Sequence, residues 1–223
     1  NNLLRENKKE NKILITGNTV IDALKLSVKK VNDASFEHEE IESLKSVLPL
    51  DKSTILVTGH IRENHGQGYI DICNALKQIA LENRDCQIIY PVHLNPNVQK
   101  PVYDILKNIE NIKLISPLSY PAFVWLMDKS FLIITDSGGV QEEAPSLGKP
   151  VLVMRNTTER PEAVEAGTVL LVGTDKSRII SETNKLFSDT EAYEKMSKSH
   201  NPYGDGDACK RIVEYMIKQN ENG

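Results

Sequence analysis

Two stretches combine residue types suited to an anionic ligand that also carries hydroxyls. In "TDSGGVQEEAPSLGKPVLVM", Thr135 to Met154, an apolar run stops at Asp136, and Ser137, Gly138 and Gly139 follow. Glycines leave main-chain N–H groups bare, and a helix that begins there adds unpaired donors and a positive dipole end, which suits phosphate. Ser137 is read as the cap of that helix. Glu142 and Glu143 lie a turn further in, and one of them is expected to face back towards the ligand. A carboxylate there repels phosphate but accepts hydrogen bonds from sugar hydroxyls, as acidic residues do for ribose in dinucleotide folds. Pro145 should end the helix early. In the second stretch, "RNTTERPE", Arg155 and Arg160 bracket two threonines, with Pro161 at a helix N1 position. Two arginines beside hydroxyls read as anion recognition.

Two further places follow apolar runs. After "ILVTG" come His60, Arg62, Glu63, Asn64, Gly66 and Gly68. The glycines free the loop, and His60 and Arg62 are candidates to meet phosphate oxygens, the arginine bidentately. After "IIYPV" comes "HLNPN", in which Asn95-Pro96 marks a turn and a helix start, and His93 sits at the end of the run. A histidine so placed is either a hydrogen-bonded structural residue or a functional one.

The elements that must position these residues follow from the hydrophobic pattern. Continuous Val/Ile/Leu runs at "STILVTG" (53–59), "CQIIYPV" (86–92), "IKLIS", "FLIIT" (131–135), "PVLVM" (150–154) and "TVLLV" (168–172) alternate with helical patterns. Strands of that composition are buried on both faces, and their alternation with helices predicts an α/β, Rossmann-like, doubly wound parallel sheet. "KILIT" (12–16) also reads as a strand, "SFEHEEIESLKSVL" as a charged helix, and "GDACKRIVEYMIKQ" as a last helix after the turn "NPYGDG". In such sheets ligands sit beyond the carboxyl ends of the strands, where all four candidate places fall. A nucleotide diphosphate would rest on the glycine turn with its ribose near a glutamate.

The bulk properties narrow the partners. The chain has 223 residues and a net charge of −4, which gives no reason to expect nucleic acid or an anionic membrane. Cys73, Cys86 and Cys209 are odd in number and lack CxxC spacing, which argues against a disulfide framework or a zinc site and fits a reducing, cytoplasmic setting. No apolar run is long enough to cross a membrane as a helix. No P-loop lysine pattern and no GxGxxG occurs, which disfavours ATP hydrolysis and NAD binding.

Taken in order, "ITGNTVIDAL", "VTGHIREN", "PVHLNPNV", "FVWLM", "DSGGVQEEAPSLGKPVLVMR" and "TTERPEAVEAGTVLLVG" resemble the non-hydrolysing UDP-N-acetylglucosamine 2-epimerases, from about Leu3 to Met216. The resemblance implies the C-terminal domain of a GT-B-like two-domain protein. Its intact form would interconvert UDP-GlcNAc and UDP-ManNAc, with neither metal nor other cofactor, by elimination and re-addition of UDP. Residues 1–50 would then be the end of an N-terminal domain with linker helices, 51–200 the UDP-sugar-binding domain, and 201–223 a helix returning to the N-terminal domain. Without the N-terminal domain, parts of residues 1–50 and 205–223 are expected to expose apolar surface. The intact protein is expected to be a homodimer with UDP-GlcNAc or UDP as ligand, and this chain alone to be inactive.

Residue by residue, the resemblance makes His60 an active-site histidine near the diphosphate, with Arg62 beside it, and Ser137, Gly138 and Gly139 the diphosphate-binding turn. It makes Glu143 the ribose-binding carboxylate, Phe123 the neighbour of the uracil, Arg160 a substrate contact, and His93 a position linked to allosteric activation. The chain departs from the common pattern at Ile61, where the family has arginine, and near Leu118, where it has glutamine. The carboxylates that act at C2 have no counterpart here. Two other readings share the features of the site: the donor-binding half of a GT-B glycosyltransferase, and a nucleotide-sugar-binding module without catalysis.

Overall fold

The computed structural model describes residues 2–48, 52–59 and 66–221. After a short helix α1 (Asn2–Arg5), helices α2 (Thr19–Val31) and α3 (Glu39–Val47) precede the first strand, β1 (Ser53–Thr58). There follow α4 (Gln67–Glu82), β2 (Cys86–Pro91), α5 (Pro96–Leu106), β3 (Ile112–Ile115), α6 (Tyr120–Lys129) and β4 (Leu132–Thr135). The rest comprises α7 (Gly138–Glu143), β5 (Val151–Val153), α8 (Pro161–Glu165), β6 (Val169–Leu171), α9 (Lys176–Ser188), α10 (Thr190–Ser197) and α11 (Ala208–Glu221).

The six strands form one sheet in the order β3-β2-β1-β4-β5-β6, and every pairing is parallel. The α/β, Rossmann-like, doubly wound class expected from the alternating pattern is what the chain adopts. Chain order reverses between β1 and β4, and at such a switch point the crossover helices leave on opposite faces, opening a crevice at the strands' carboxyl ends. Thr58 of β1 stands level with Thr135 of β4, and Thr135 with Val153 of β5, so the loops leaving these three strands begin side by side.

The four inner strands β2, β1, β4 and β5 are buried on both faces because helices cover both, while β3 and β6 at the edges are partly exposed. Ile55, Val57, Ile88, Tyr90, Leu132 and Ile134 point to one core, shared with Leu76 and Ile79 of α4, Val98 and Val102 of α5 and Ile179 of α9. Their alternate neighbours Leu56, Ile89, Ile133, Val151 and Val153 point to the other core. That second core contains Leu24 of α2, Ile41 and Leu44 of α3, and Val124 and Leu126 of α6. The period of two along each strand thus feeds two separate hydrophobic layers. Helices α2 and α3, within the first fifty residues, contribute to the same core as the strands.

One expected strand is absent. "KILIT" forms the end of a single 3-10 turn, Glu10–Lys12, followed by unpaired chain in which Leu14 is 49% and Ile15 89% exposed. The run has strand composition, but it pairs with no strand of the sheet, whose outer positions belong to β3 and β6. Leu3, Leu4, Val213, Met216 and Ile217 are exposed as well, so apolar surface gathers in both end regions. Helix α11 is nonetheless anchored at its start. Asp22, a buried residue of α2, accepts the main-chain N–H of Ala208 (3.2 Å) and of Cys209 (2.8 Å), an N-cap supplied from another helix. No helix among the described residues is long and apolar enough to cross a membrane.

Candidate functional site

The turn after β4 is built by short-range bonds at the switch point. The hydroxyls of Thr58 and Thr135 meet across β1 and β4 at 2.6 Å, and the Ser137 N–H donates to Thr135 Oγ1 at 3.0 Å. Gln141, fully buried, donates from Nε2 to the Ser137 carbonyl (3.1 Å). Ser137 holds the N-cap position of α7, but its hydroxyl makes no capping bond, so the capping role expected from sequence is not met. Gln141 and Thr135 hold the turn instead, and the Ser137 hydroxyl is left half-exposed beside Gly138 and Gly139. Pro145 does stop α7 after six residues, in a 3-10 turn, Ala144–Leu147, closed by Gly148 at φ +65°.

The two adjacent glutamates of α7 separate completely. Glu143 is buried, and its Oε1 accepts the Tyr120 hydroxyl at 2.7 Å. No hydrogen bond from another described residue reaches its second oxygen. Burial pushes its carboxyl above the usual range; the Tyr120 hydrogen bond opposes that shift and the charge of Glu142 adds to it. Glu142 turns the other way. Its Oε1 accepts Arg160 Nε at 2.7 Å, and its Oε2 accepts Asn18 Nδ2 at 2.8 Å. Consecutive helical positions are about 100° apart, so two neighbouring carboxylates cannot serve the same pocket.

The loop after β5 brings its two arginines to different ends. Arg155 is 8% exposed and grips Glu159 with both terminal nitrogens, each at 2.7 Å, which pulls the Glu159 carboxyl down to about 2. That geometry corrects the pairing of the two arginines as joint anion ligands, since the Arg155 fork is already filled by a carboxylate. Thr158 donates to Gln141 Oε1 (2.7 Å) and accepts the Arg160 N–H (3.0 Å), so the loop is stitched to α7. Arg160 then lies over the glycine turn. A Cβ placed on Gly138 would stand 3.4 Å from Arg160 Cζ and 3.6 Å from its Nη2. Only Nε of Arg160 is engaged by a described residue, which leaves the edge carrying its two terminal nitrogens unspent above the turn.

The remaining candidates fall as follows. His60 and Arg62, with Ile61 between them, lie outside the described residues. Gly59, the residue before them, is buried at the end of β1. Phe123 is half-buried in the first turn of α6, one helical turn from Tyr120, whose hydroxyl meets Glu143. Sequence reasoning did not single out Tyr120; its spacing of three from Phe123 was the available signal. Ser119, next to Leu118, is held by Glu40 of α3 through its N–H (3.2 Å) and its hydroxyl. His93 is exposed beyond β2, and its Nδ1 accepts the Asn95 N–H at 3.1 Å, which closes the turn before α5. Among the described residues no cluster of ligand-type side chains is placed to hold a metal ion.

A turn with bare amides, an arginine fork above it and a buried carboxylate beyond suits a diphosphate joined to a hydroxylated group. Comparison with known proteins agrees with that chemistry. A family profile described as UDP-N-acetylglucosamine 2-epimerase matches residues 1–217. The UDP-N-acetylglucosamine 2-epimerase of Campylobacter jejuni is 58% identical over 224 residues, covering 99% of this chain and 58% of that protein. That of Escherichia coli K12 is 58% identical over 215 residues, covering 96% and 57%. Among solved structures, UDP-GlcNAc 2-epimerase from Neisseria meningitidis bound to UDP-GlcNAc superposes with a TM-score of 0.89 at 48% identity, covering 97% of this chain and 58% of that one. The chain thus spans a little under three-fifths of the length of these relatives.

Proposed function

The chain belongs to the UDP-N-acetylglucosamine 2-epimerase family, and from that premise we propose that it is the nucleotide-binding part of an enzyme interconverting UDP-GlcNAc and UDP-ManNAc. The observation that carries the site assignment is the Arg160 guanidinium lying over Gly138, its terminal nitrogens engaged by no described residue, at the switch point of the sheet. The pyrophosphate rests on the main-chain amides of Gly138 and Gly139 under Arg160, with the Ser137 hydroxyl beside it, because the Ser137 N–H is already taken by Thr135 Oγ1. The ribose hydroxyls donate to Glu143, and the uracil lies by Phe123. By their place in the sequence after β1, His60 and Arg62 are assigned to the diphosphate as well, and His93, at the end of β2, is the position for an allosteric contact.

The proposed reaction removes the C2 proton of the sugar as the C1–O bond breaks. UDP leaves with the bonding electrons and a 2-acetamidoglucal remains; return of a proton to the opposite face of C2, with re-addition of UDP at C1, completes the exchange. This part of the protein contributes stabilisation of the departing UDP, whose developing negative charge meets the amides and the arginine. No residue of this chain is assigned to the proton transfers at C2. The intact enzyme is proposed to be a two-domain, GT-B-like homodimer acting in the cytoplasm. Residues 1–50 and 201–223 would join the 51–200 region to its neighbour, although α2 and α3 of the first segment also pack into the core beneath the sheet.

Arg160→Ala tests the assignment. UDP affinity, measured by calorimetry, should fall about tenfold, from loss of charge-assisted hydrogen bonds, while uridine affinity should change less than about twofold. Equal losses for the two ligands would remove Arg160 from the diphosphate. Incubated with UDP-GlcNAc, the chain by itself should yield no UDP-ManNAc detectable by proton NMR. Turnover proportional to its concentration would refute the division of labour.

A further inference from the structure

Glu142 is joined to three segments remote in the chain. One oxygen accepts Arg160 Nε (2.7 Å) and the other accepts Asn18 Nδ2 (2.8 Å), while its own main-chain carbonyl accepts Asn201 Nδ2 (3.0 Å). Its side chain is only 13% exposed. Asn18 is itself fixed. Its Oδ1 caps α2 by accepting the Val20 N–H (3.0 Å), and its own N–H donates to the Tyr203 carbonyl (2.8 Å). Asn201 is 8% exposed and also bonds Ser146 Oγ (2.5 Å). The carboxylate therefore sits in a frame assembled from α2, α7 and the 201–203 segment, and it holds Arg160, whose side chain is 33% exposed, over the glycine turn.

A carboxylate next to a phosphate site has two opposite possible effects. It can mask the arginine and repel the ligand, or it can aim the arginine. The geometry points to the second: we propose that Glu142 is the positioning residue for Arg160, with Asn18 as its support. Both Glu142 oxygens are already occupied by donors, which turns its charge inward. It takes only Nε, the inner nitrogen of the guanidinium, and so fixes the side-chain torsions without consuming the Nη1–Nη2 edge that suits two phosphate oxygens. Held at Nε, the guanidinium stays within van der Waals range of Gly138, where a side chain would begin to displace it. A fork fixed before the ligand arrives loses less conformational freedom on binding.

This inference rests on the diphosphate reading above, and its test separates the two. UDP and uridine affinities are measured by calorimetry for the full chain and for Glu142→Ala, Arg160→Ala and the double variant. If Glu142 acts through Arg160, Glu142→Ala lowers UDP affinity about fivefold and leaves uridine within about twofold. It should then add no further loss in the Arg160→Ala background. Asn18→Ser, which keeps a capping oxygen for α2 and deletes the donor to Glu142, should shift the UDP-to-uridine ratio in the same direction by a smaller factor. It serves if Glu142→Ala does not fold. Tighter UDP binding by Glu142→Ala, equal losses for uridine and UDP, or full additivity in the double variant would each overturn the positioning role while leaving the diphosphate site intact. An Arg160→Ala chain that binds UDP as well as the parent would remove both.

Discussion

Replacing Glu143 with alanine is expected to weaken both UDP and uridine about ten- to hundredfold, the range corresponding to the 1.5–3 kcal/mol of hydrogen bonds made to a charged group. The two ligands should suffer alike, because the lost contact is to the ribose that both carry. That is the opposite signature from Arg160→Ala, and the pair of variants divides the ligand into its two halves. Tyr120→Phe is the control: it removes the hydroxyl now donating to Glu143 Oε1 but leaves the carboxylate, so its effect on uridine should be well below that of Glu143→Ala. Retention of parental affinity by Glu143→Ala would place the ribose elsewhere.

Glu143 also predicts a pH dependence. Its carboxyl is raised above the usual range chiefly by burial, and it must be ionised to accept strong hydrogen bonds from ribose hydroxyls. As pH falls through that raised value the group protonates, so uridine affinity should decline at a pH above where an ordinary exposed glutamate titrates. Uridine is the appropriate probe because it has no phosphate of its own to titrate. In Glu143→Gln the profile should be flat over the same interval; a decline that persists there would belong to another group.

The second large effect is on stability, at Gly59. A Cβ on this residue would lie 2.8 Å from the Tyr69 hydroxyl oxygen and 2.9 Å from that of Tyr90, both inside the contact limit. Neither tyrosine has room to retreat, since they are 1% and 0% exposed. They are also bonded to each other at 2.6 Å, and Tyr69 donates to the Gly59 carbonyl at 2.8 Å. Gly59→Ala must therefore push the end of β1 or break a buried hydroxyl pair. Overpacking costs about 1–3 kcal/mol, and a stranded buried hydroxyl adds about 1–3 kcal/mol, against the 5–15 kcal/mol typical of a whole domain. Urea unfolding should show a clearly lowered midpoint, and adding Tyr90→Phe should recover part of it by removing one clashing oxygen. An unchanged midpoint would mean that the strand end yields freely.

Part of this arrangement was legible because its causes are local. Uninterrupted Val/Ile/Leu runs at Ile55–Val57, Ile88–Ile89 and Leu132–Ile134 can be buried on two faces only between helices, and that alternation is a matter of period and composition. Pro145 ending α7, Pro161 opening α8 and Asn95 capping α5 follow from backbone chemistry within a few residues. "KILIT" shows the limit of the same reasoning, because strand composition requires a neighbouring strand, and nothing in five residues says whether one is present.

The sequence by itself determined the two-faced parallel sheet, the glycine turn at the end of an apolar run, and the types of residue offered along that rim. It left open how two adjacent glutamates would be partnered, and it read Arg155 and Arg160 together as anion ligands. Tertiary structure decided both. Tyr120, from a helix 23 positions earlier, meets Glu143, while Asn18, 124 positions away, and Arg160 take Glu142. Glu159 draws Arg155 away into a pair of its own. The physical reason is range: a helix start or a buried strand is set by neighbours along the chain, whereas the partner of a charged group is set by whatever the packed elements bring within about 3 Å of it.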